Sequence, residues 1–392
     1  MTKSMKKESR PKVNYKDKII KHKLQFFYRV VLCVLLVVSF TVLIVVQYEN
    51  KEYAGYEILS SIPRTDVVDS IYKNYNGKIL SYSKDGISAF LPDGKQLYNQ
   101  TYEMQEPLVE TSGEYVVAAD YKGSQIFVMN SKGPVTTIDT NLPILGLCVS
   151  SKGVLCGILQ ENDTIWLRLF SSKGNVVANI KTSMKQSGYP MSVSISPDNV
   201  KLAVSFLKAE GGQVKTSVAF YNFGDVGQNE LGNLVSGFDY SDEIIPFLEY
   251  PSEATAVAVG NKKAYFFQGQ QRPKKEAEID LKEEVQSVFC GTDSIAFVFV
   301  NQGSQEKYRI DLYNFSGKKK MSHKFDLEYS DLLFYKDQLI IYNQAEVMIV
   351  NARGVVKHTG DFGKDIQAII LADSKTKFYV VRSTKIDYLR LH

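Results

Sequence analysis

Cysteine and histidine are scarce: each occurs only four times in 392 residues, and tryptophan only once. So few cysteines exclude a small scaffold stapled by disulfides. No His-x-x-x-His or His-Glu-x-x-His spacing joins His22, His323, His358 and His392, so a histidine-based metal or general-base site lacks its raw material. Also missing are an Asp-x-Asp-x-Asp-Gly calcium loop, a Gly-x-x-x-x-Gly-Lys-Ser/Thr phosphate loop and a Gly-x-Ser-x-Gly elbow. Acidic residues are rare at one end. Residues 1–48 carry ten Lys and Arg against two Asp and Glu, whereas the rest carries 37 against 41. The bulk of the chain is thus mildly acidic, which argues against nucleic acid as a partner.

With 44% hydrophobic and 23% charged residues, the chain is suited to burying a large core. One stretch is different in kind. From Val30 to Val46 there is no charge, and Phe26, Phe27, Tyr28 and Tyr48 flank the run. At about 1.5 Å per residue, about 20 helical residues match a hydrocarbon core of about 30 Å. The run has no polar face to place against water, so it reads as a membrane helix over residues 25–47. Lys3, Lys6, Lys7, Arg10, Lys12, Lys16, Lys18, Lys21 and Lys23 precede it, against Glu8 and Asp17. The positive-inside bias then leaves a basic tail, residues 1–24, in the cytoplasm. A cleaved signal peptide is the alternative; the long basic region, the long apolar run and the lack of a small-x-small site after Val46 favour an uncleaved signal anchor. Residues 48–54 form a linker, and the stretch from Gln47 to Ala54 reaches at most about 28 Å when extended.

Beyond the linker the chain repeats in rhythm. Polar turns with glycine at 94, 133, 174, 224, 269, 317 and 354 recur at intervals of 37 to 50 residues. A second set of turns precedes them: Asn76-Gly77, Ser112-Gly113, Lys152-Gly153, Pro197-Asp198-Asn199, Pro251-Ser252-Glu253, Gly291-Thr292-Asp293, Lys336-Asp337 and Asp373-Ser374. Short β-branched runs follow, such as Tyr115–Ala119, Lys201–Ser205 and Thr255–Val259. This is the pattern of a β-propeller of four-stranded blades. Eight turns of one kind against seven of the other leave the last unit, from Ile366 to Leu391, short of a strand. Gly55–Ile62 is placed to supply it and to close the ring. The expected fold is therefore all-β: an eight-bladed propeller over residues 55–392, at about 42 residues per blade, with seven blades as the alternative if one turn is miscounted.

Ile195-Ser196-Pro197-Asp198-Asn199-Val200-Lys201-Leu202-Ala203-Val204 resembles the blade signature shared by WD40-like and TolB-like propellers, with Asn199 where glycine is usual. The layout of basic tail, single anchor and propeller resembles a Firmicutes domain-of-unknown-function family of membrane-anchored propellers. That resemblance implies a Gram-positive envelope protein and brings no functional residues with it. The single Trp166 removes the repeated tryptophan docking motif of quinone-binding propellers, and no cofactor is expected.

Cys148 and Cys156 flank the turn centred on Lys152 and face each other across a hairpin, either as a disulfide or as small buried side chains. The densest acidic and aromatic stretch runs through Asp239, Tyr240, Asp242, Glu243, Glu249 and Tyr250. It reads either as a face for a cationic or mixed-charge partner, or as aromatics packed between blades beside solvated acids. Basic runs at Arg272-Pro273-Lys274-Lys275 and Lys318-Lys319-Lys320 fall on the outer rim. The expected function is a non-enzymatic, membrane-tethered scaffold or sensor that binds an envelope or membrane protein. The rival is a hydrolase or lyase acting on glycans or peptides, which calls for carboxylates converging on the central channel, at least one with a raised pKa.

Overall fold

The computed structural model describes residues 15–64, 69–183, 187–301, 303, 305–372 and 374–392. The expected tail residues Lys3, Lys6, Lys7, Glu8, Arg10 and Lys12, and Asp373 of the eighth turn, lie outside them. The chain forms two compact units, Met1–Glu52 and Tyr53–His392.

In the first unit a single helix runs from Tyr15 to Glu49. It takes in Lys16, Lys21 and Lys23, so it starts well inside the stretch expected as tail. Its segment Ile19–Ile44 is long and apolar enough to cross a membrane, with 26 residues spanning about 39 Å at 1.5 Å each.

The second unit contains eight four-stranded antiparallel sheets. Seven are continuous in sequence, at 71–101, 107–139, 144–183, 189–241, 247–280, 285–325 and 331–361; these are blades 1 to 7. The eighth combines Ala368–Leu371, Lys377–Val381 and Lys385–Leu391 with Tyr56–Pro63 from the start of the unit. Eight blades, not seven, close the ring, and an N-terminal strand completes the last sheet as expected. The first strands of adjoining blades touch from blade 2 through blade 7 and again between blades 8 and 1, so they line the central channel.

Burial explains the composition of each strand. The second strands Thr255–Val259 and Gln338–Tyr342 are buried throughout, and Ser294–Val300 is buried up to its last residue. Each is covered on both faces by adjoining blades, so a continuous β-branched and aromatic run is favoured over alternation. The outermost strand Lys274–Asp280 is largely exposed and polar. A feature that the strand pattern does not announce recurs in all blades: the pairing between third and outermost strands shifts register once, at Ala89/Phe90, Val128/Met129, Leu169/Phe170, Phe220/Tyr221, Phe266/Phe267, Leu312/Tyr313 and Ile349/Val350, and at Ile58/Ser60 in the closing pair. Such bulges increase local twist and re-aim the outer strand.

The turns explain themselves chemically. The side-chain oxygens of Asn130, Asn314 and Asn351 each accept the backbone N–H two residues on, at 2.8, 3.1 and 3.0 Å. This Asx geometry tightens the turn that the following glycine completes. Gly354, at φ +84°, occupies backbone space costly to any residue with a Cβ. Asn199 takes φ +69° where the related signature has glycine, which asparagine tolerates best among the other residues.

Ring closure is polar as well as apolar. Asp387, fully buried, accepts hydrogen bonds from Ser61 Oγ (2.5 Å), Arg382 Nε (2.7 Å) and Lys385 Nζ (3.0 Å). Arg382 also donates to the carbonyls of Phe362 and Lys364. Tyr53 belongs to the ring, not to the expected linker: its N–H donates to Lys357 O at 2.7 Å and its carbonyl meets His358 Nδ1 at 3.0 Å.

Candidate functional site

The inner strands end at one face of the channel, and the turns that follow them surround a cavity of about 530 Å³. Five blades contribute to its wall, from Ser112 in blade 2 and Pro197 in blade 4 to Lys336 in blade 7. The functional groups are Glu249 and Tyr250 from blade 5, Phe289 and Cys290 from blade 6, and Phe334 and Tyr335 from blade 7. Each is the product of a strand ending at the channel, so residues far apart in sequence converge. Lys336, at positive φ in its turn, lies with Nζ 4.9 Å from the centre of the Tyr335 ring.

Charge is arranged unevenly along the channel. Lys73, on inner strand Ile71–Tyr75, donates to Val109 O at 3.3 Å. Its cation acts on two carboxylates, Glu110 of blade 2 and Asp331 of blade 7, and partly offsets the burial that raises the pKa of each. Asp331 is further held by the N–H of Leu332 at 2.8 Å and the hydroxyl of Tyr342 at 3.2 Å. Glu249 feels Glu110 and lies beside the Cys290 thiol, whose hydrogen bond goes to Gly291 O at 3.7 Å. Burial first, then the charge of Glu110, push its pKa up to about 7, with the thiol opposing them. Cys290 is raised in turn by burial and by the Glu249 charge, which makes it a poor nucleophile. Among the described residues no three His, Cys, Asp or Glu side chains converge to hold a metal ion.

The stretch singled out in the sequence is divided among three places. Asp239 and Tyr240 lie on the outermost strand Leu234–Ser241 of blade 4, where Asp239 accepts from Ser217 Oγ and Tyr240 stacks 4.1 Å from Tyr265. Asp242 is exposed in the following connection. Glu243 is buried instead, accepting the N–H of Lys263 at 2.9 Å and the hydroxyl of Tyr265; it serves the core and presents nothing to a partner. Only Glu249 and Tyr250 reach the channel cavity, and the Tyr250 ring packs edge-on against Phe220 at 6.2 Å. Lys73, Glu110, Cys290 and Asp331 were not picked out from sequence. A charged side chain inside a short apolar inner strand, as in Leu108-Val109-Glu110, was the available signal.

Other expectations are refined. Cys148 and Cys156 stand opposite each other in register, as free thiols. The basic runs lie on outer strands and are paired: Arg272 with Glu230, Lys275 with Glu278 at 2.6 Å, Lys319 with buried Asp311 at 2.8 Å and Lys320 with Asp293 at 3.3 Å.

The architecture is that of an eight-bladed β-propeller, and known structures of the same class superpose on it. BamB from Moraxella catarrhalis matches with TM-score 0.51 at 11% identity, over 86% of this chain and 100% of that one. AztD from Citrobacter koseri matches with TM-score 0.50 at 7% identity, over 78% and 92%. KlAtg21, solved in complex with the coiled coil of AgAtg16, matches with TM-score 0.50 at 14% identity, over 67% and 88%. At such identities the likeness is one of fold. No curated protein matches the chain. Residues 49–391 match the family of unknown function DUF5711, and the chain belongs to that family.

Proposed function

We propose that this protein is a membrane-tethered scaffold or sensor whose propeller, held outside the cytoplasm by an uncleaved N-terminal anchor, binds another envelope or membrane protein without catalysing a reaction. The observation that carries this reading is the channel-mouth cavity, built by five blades of a closed ring. A concave site whose aromatic side chains stand among several polar groups is suited to recognising a polypeptide. The apolar helix Ile19–Ile44 supports the tether, and the basic flank read in the sequence supports a cytoplasmic N-terminus. That KlAtg21 is solved with a coiled coil bound is consistent with polypeptide as the ligand class for a ring of this shape. Crosslinking in intact cells, followed by purification of the tagged full chain and mass spectrometry, tests the reading, with residues 1–54 alone as the control. Partners crosslinked to propeller residues and missing from the control are expected; a partner list identical to the control would defeat it.

A second reading has its own support in Glu110, Glu249 and Asp331, three inner-strand carboxylates with raised pKa values. A carboxylic acid poised near neutrality is what a hydrolase or lyase uses as a general acid. Turnover of a glycan or peptide by the full chain, abolished by Glu249→Gln, would favour this reading over the scaffold.

A further inference from the structure

Glu249 differs from the other carboxylates near the channel in having no cation of its own. Glu110 and Asp331 share Lys73, and Asp293 at the cavity wall pairs with Lys320 at 3.3 Å. Glu249 has the Cys290 thiol beside it on the cavity wall and, among the described residues, no ion pair. Lys336, the one basic residue of the cavity wall, is engaged with the ring of Tyr335. The cavity that Glu249 lines has a mixed wall, with Pro251, Phe289 and Phe334 beside Ser112, Thr292 and Asp293. Tyr250 is only 5% exposed, and its hydroxyl has no hydrogen-bond partner in the structure.

These facts restrict the occupant. An anion would face Glu249 and feel the charge of Glu110 as well. A purely apolar group would strip water from a carboxylate and return nothing to it. A guanidinium or ammonium group meets both demands, because it offers the carboxylate a charge-assisted hydrogen bond and the aromatic faces a cation–π contact. A cavity of about 530 Å³ admits a long basic side chain together with part of the backbone that carries it.

We propose that the channel mouth is a binding site for an organic cation, the guanidinium or ammonium group of a basic side chain on a partner polypeptide, with Glu249 as its counter-ion and Phe289 and Phe334 as its aromatic wall. The polypeptide source of the cation rests on the scaffold reading; the cation site does not.

The test uses the detergent-solubilised full chain and two small probes, n-butylguanidinium and its neutral counterpart n-butylurea, titrated calorimetrically. Saturable binding of butylguanidinium is expected, weakened about tenfold or more in Glu249→Gln and partly restored in Glu249→Asp, with no binding of butylurea. Equal binding to the Glu249→Gln variant, or none to the unaltered protein, overturns the site. Thermal melts of both variants establish that they fold. Spermidine in place of butylguanidinium distinguishes a free polyamine: tighter binding of spermidine than of any crosslinked partner's basic peptide would overturn the polypeptide source. A partner that crosslinks to the propeller equally in the unaltered protein and in Glu249→Gln would leave the scaffold reading standing and remove this site from it.

Discussion

Glu249→Gln is expected to stabilise the protein at alkaline pH and to leave it unchanged at acid pH. The folded protein raises the Glu249 carboxyl from its ordinary 4.5 to about 7, so the native state holds this proton more tightly than the unfolded chain. Stability from this group is therefore fully present below about pH 4.5, falls as pH rises, and is gone above about pH 7. At about 1.4 kcal/mol per tenfold change, the loss is at most about 3 kcal/mol, and water reaching the carboxylate through the cavity reduces it. Glutamine mimics the protonated acid in shape and carries no charge to desolvate, so the variant avoids the loss. Groups common to both proteins cancel in the comparison. Urea unfolding of the full chain in detergent, followed by the fluorescence of Trp166, the one tryptophan, reads the difference. The variant should match the unaltered protein near about pH 3.5 and exceed it by about 1–3 kcal/mol near about pH 8.5. A difference that stays constant across this range would show that Glu249 is not held near neutrality, and the account of its environment would fail.

Other parts of the ring make their own predictions. Asp387→Ala leaves Arg382 buried without its carboxylate at the closing blade and should cost about 3–5 kcal/mol in urea unfolding; a loss below about 1 would mean that the closing pair is dispensable. Asp198→Ala isolates Lys201, which is fully buried and paired to Asp198 at 2.5 Å; a similar loss is expected, and Lys201→Met in the same background should recover much of it. At Asn199, with φ +69°, substitution by valine should cost about 1–2 kcal/mol and by glycine almost nothing; equal effects would contradict the left-handed turn. Mild oxidation should link Cys148 to Cys156 within one chain, since they are opposed in register, whereas maleimide should label buried Cys156 only as fast as the ring opens; Cys290, half-buried at the cavity wall, should react slowly because its pKa is raised, and prompt labelling would contradict that.

The ring was legible because its punctuation is local. A turn needing positive φ or an Asx hydrogen bond is written in a few adjacent residues, such as Asn351 to Gly354, and its recurrence counts the blades. The closing strand followed from the same count, since the last unit lacked a partner and Tyr56–Pro63 had no other. The recurrent bulges were not legible: a one-residue register shift such as Leu169/Phe170 changes pairing without changing composition. The site was hidden for a different reason. Lys73, Glu110, Glu249, Cys290 and Asp331 come from five blades, and the inner ends of those strands meet only after the ring has closed. Contiguity in sequence therefore misled. Asp239 to Tyr250 is dense in charge and rings, yet the chain crosses there from the outer edge of blade 4 to the inner strand of blade 5, so its members part toward the rim, the core and the channel.

The central claim is recognition at the channel mouth, and site-specific photocrosslinking in intact cells tests it most directly. One photoreactive residue replaces Thr292, on the cavity wall; another replaces Lys173, in an outer turn of blade 3. The account predicts a protein adduct from position 292 that disappears when Glu249→Gln is added, and little from position 173. Adducts from the rim position alone, or from position 292 regardless of Glu249, would contradict it.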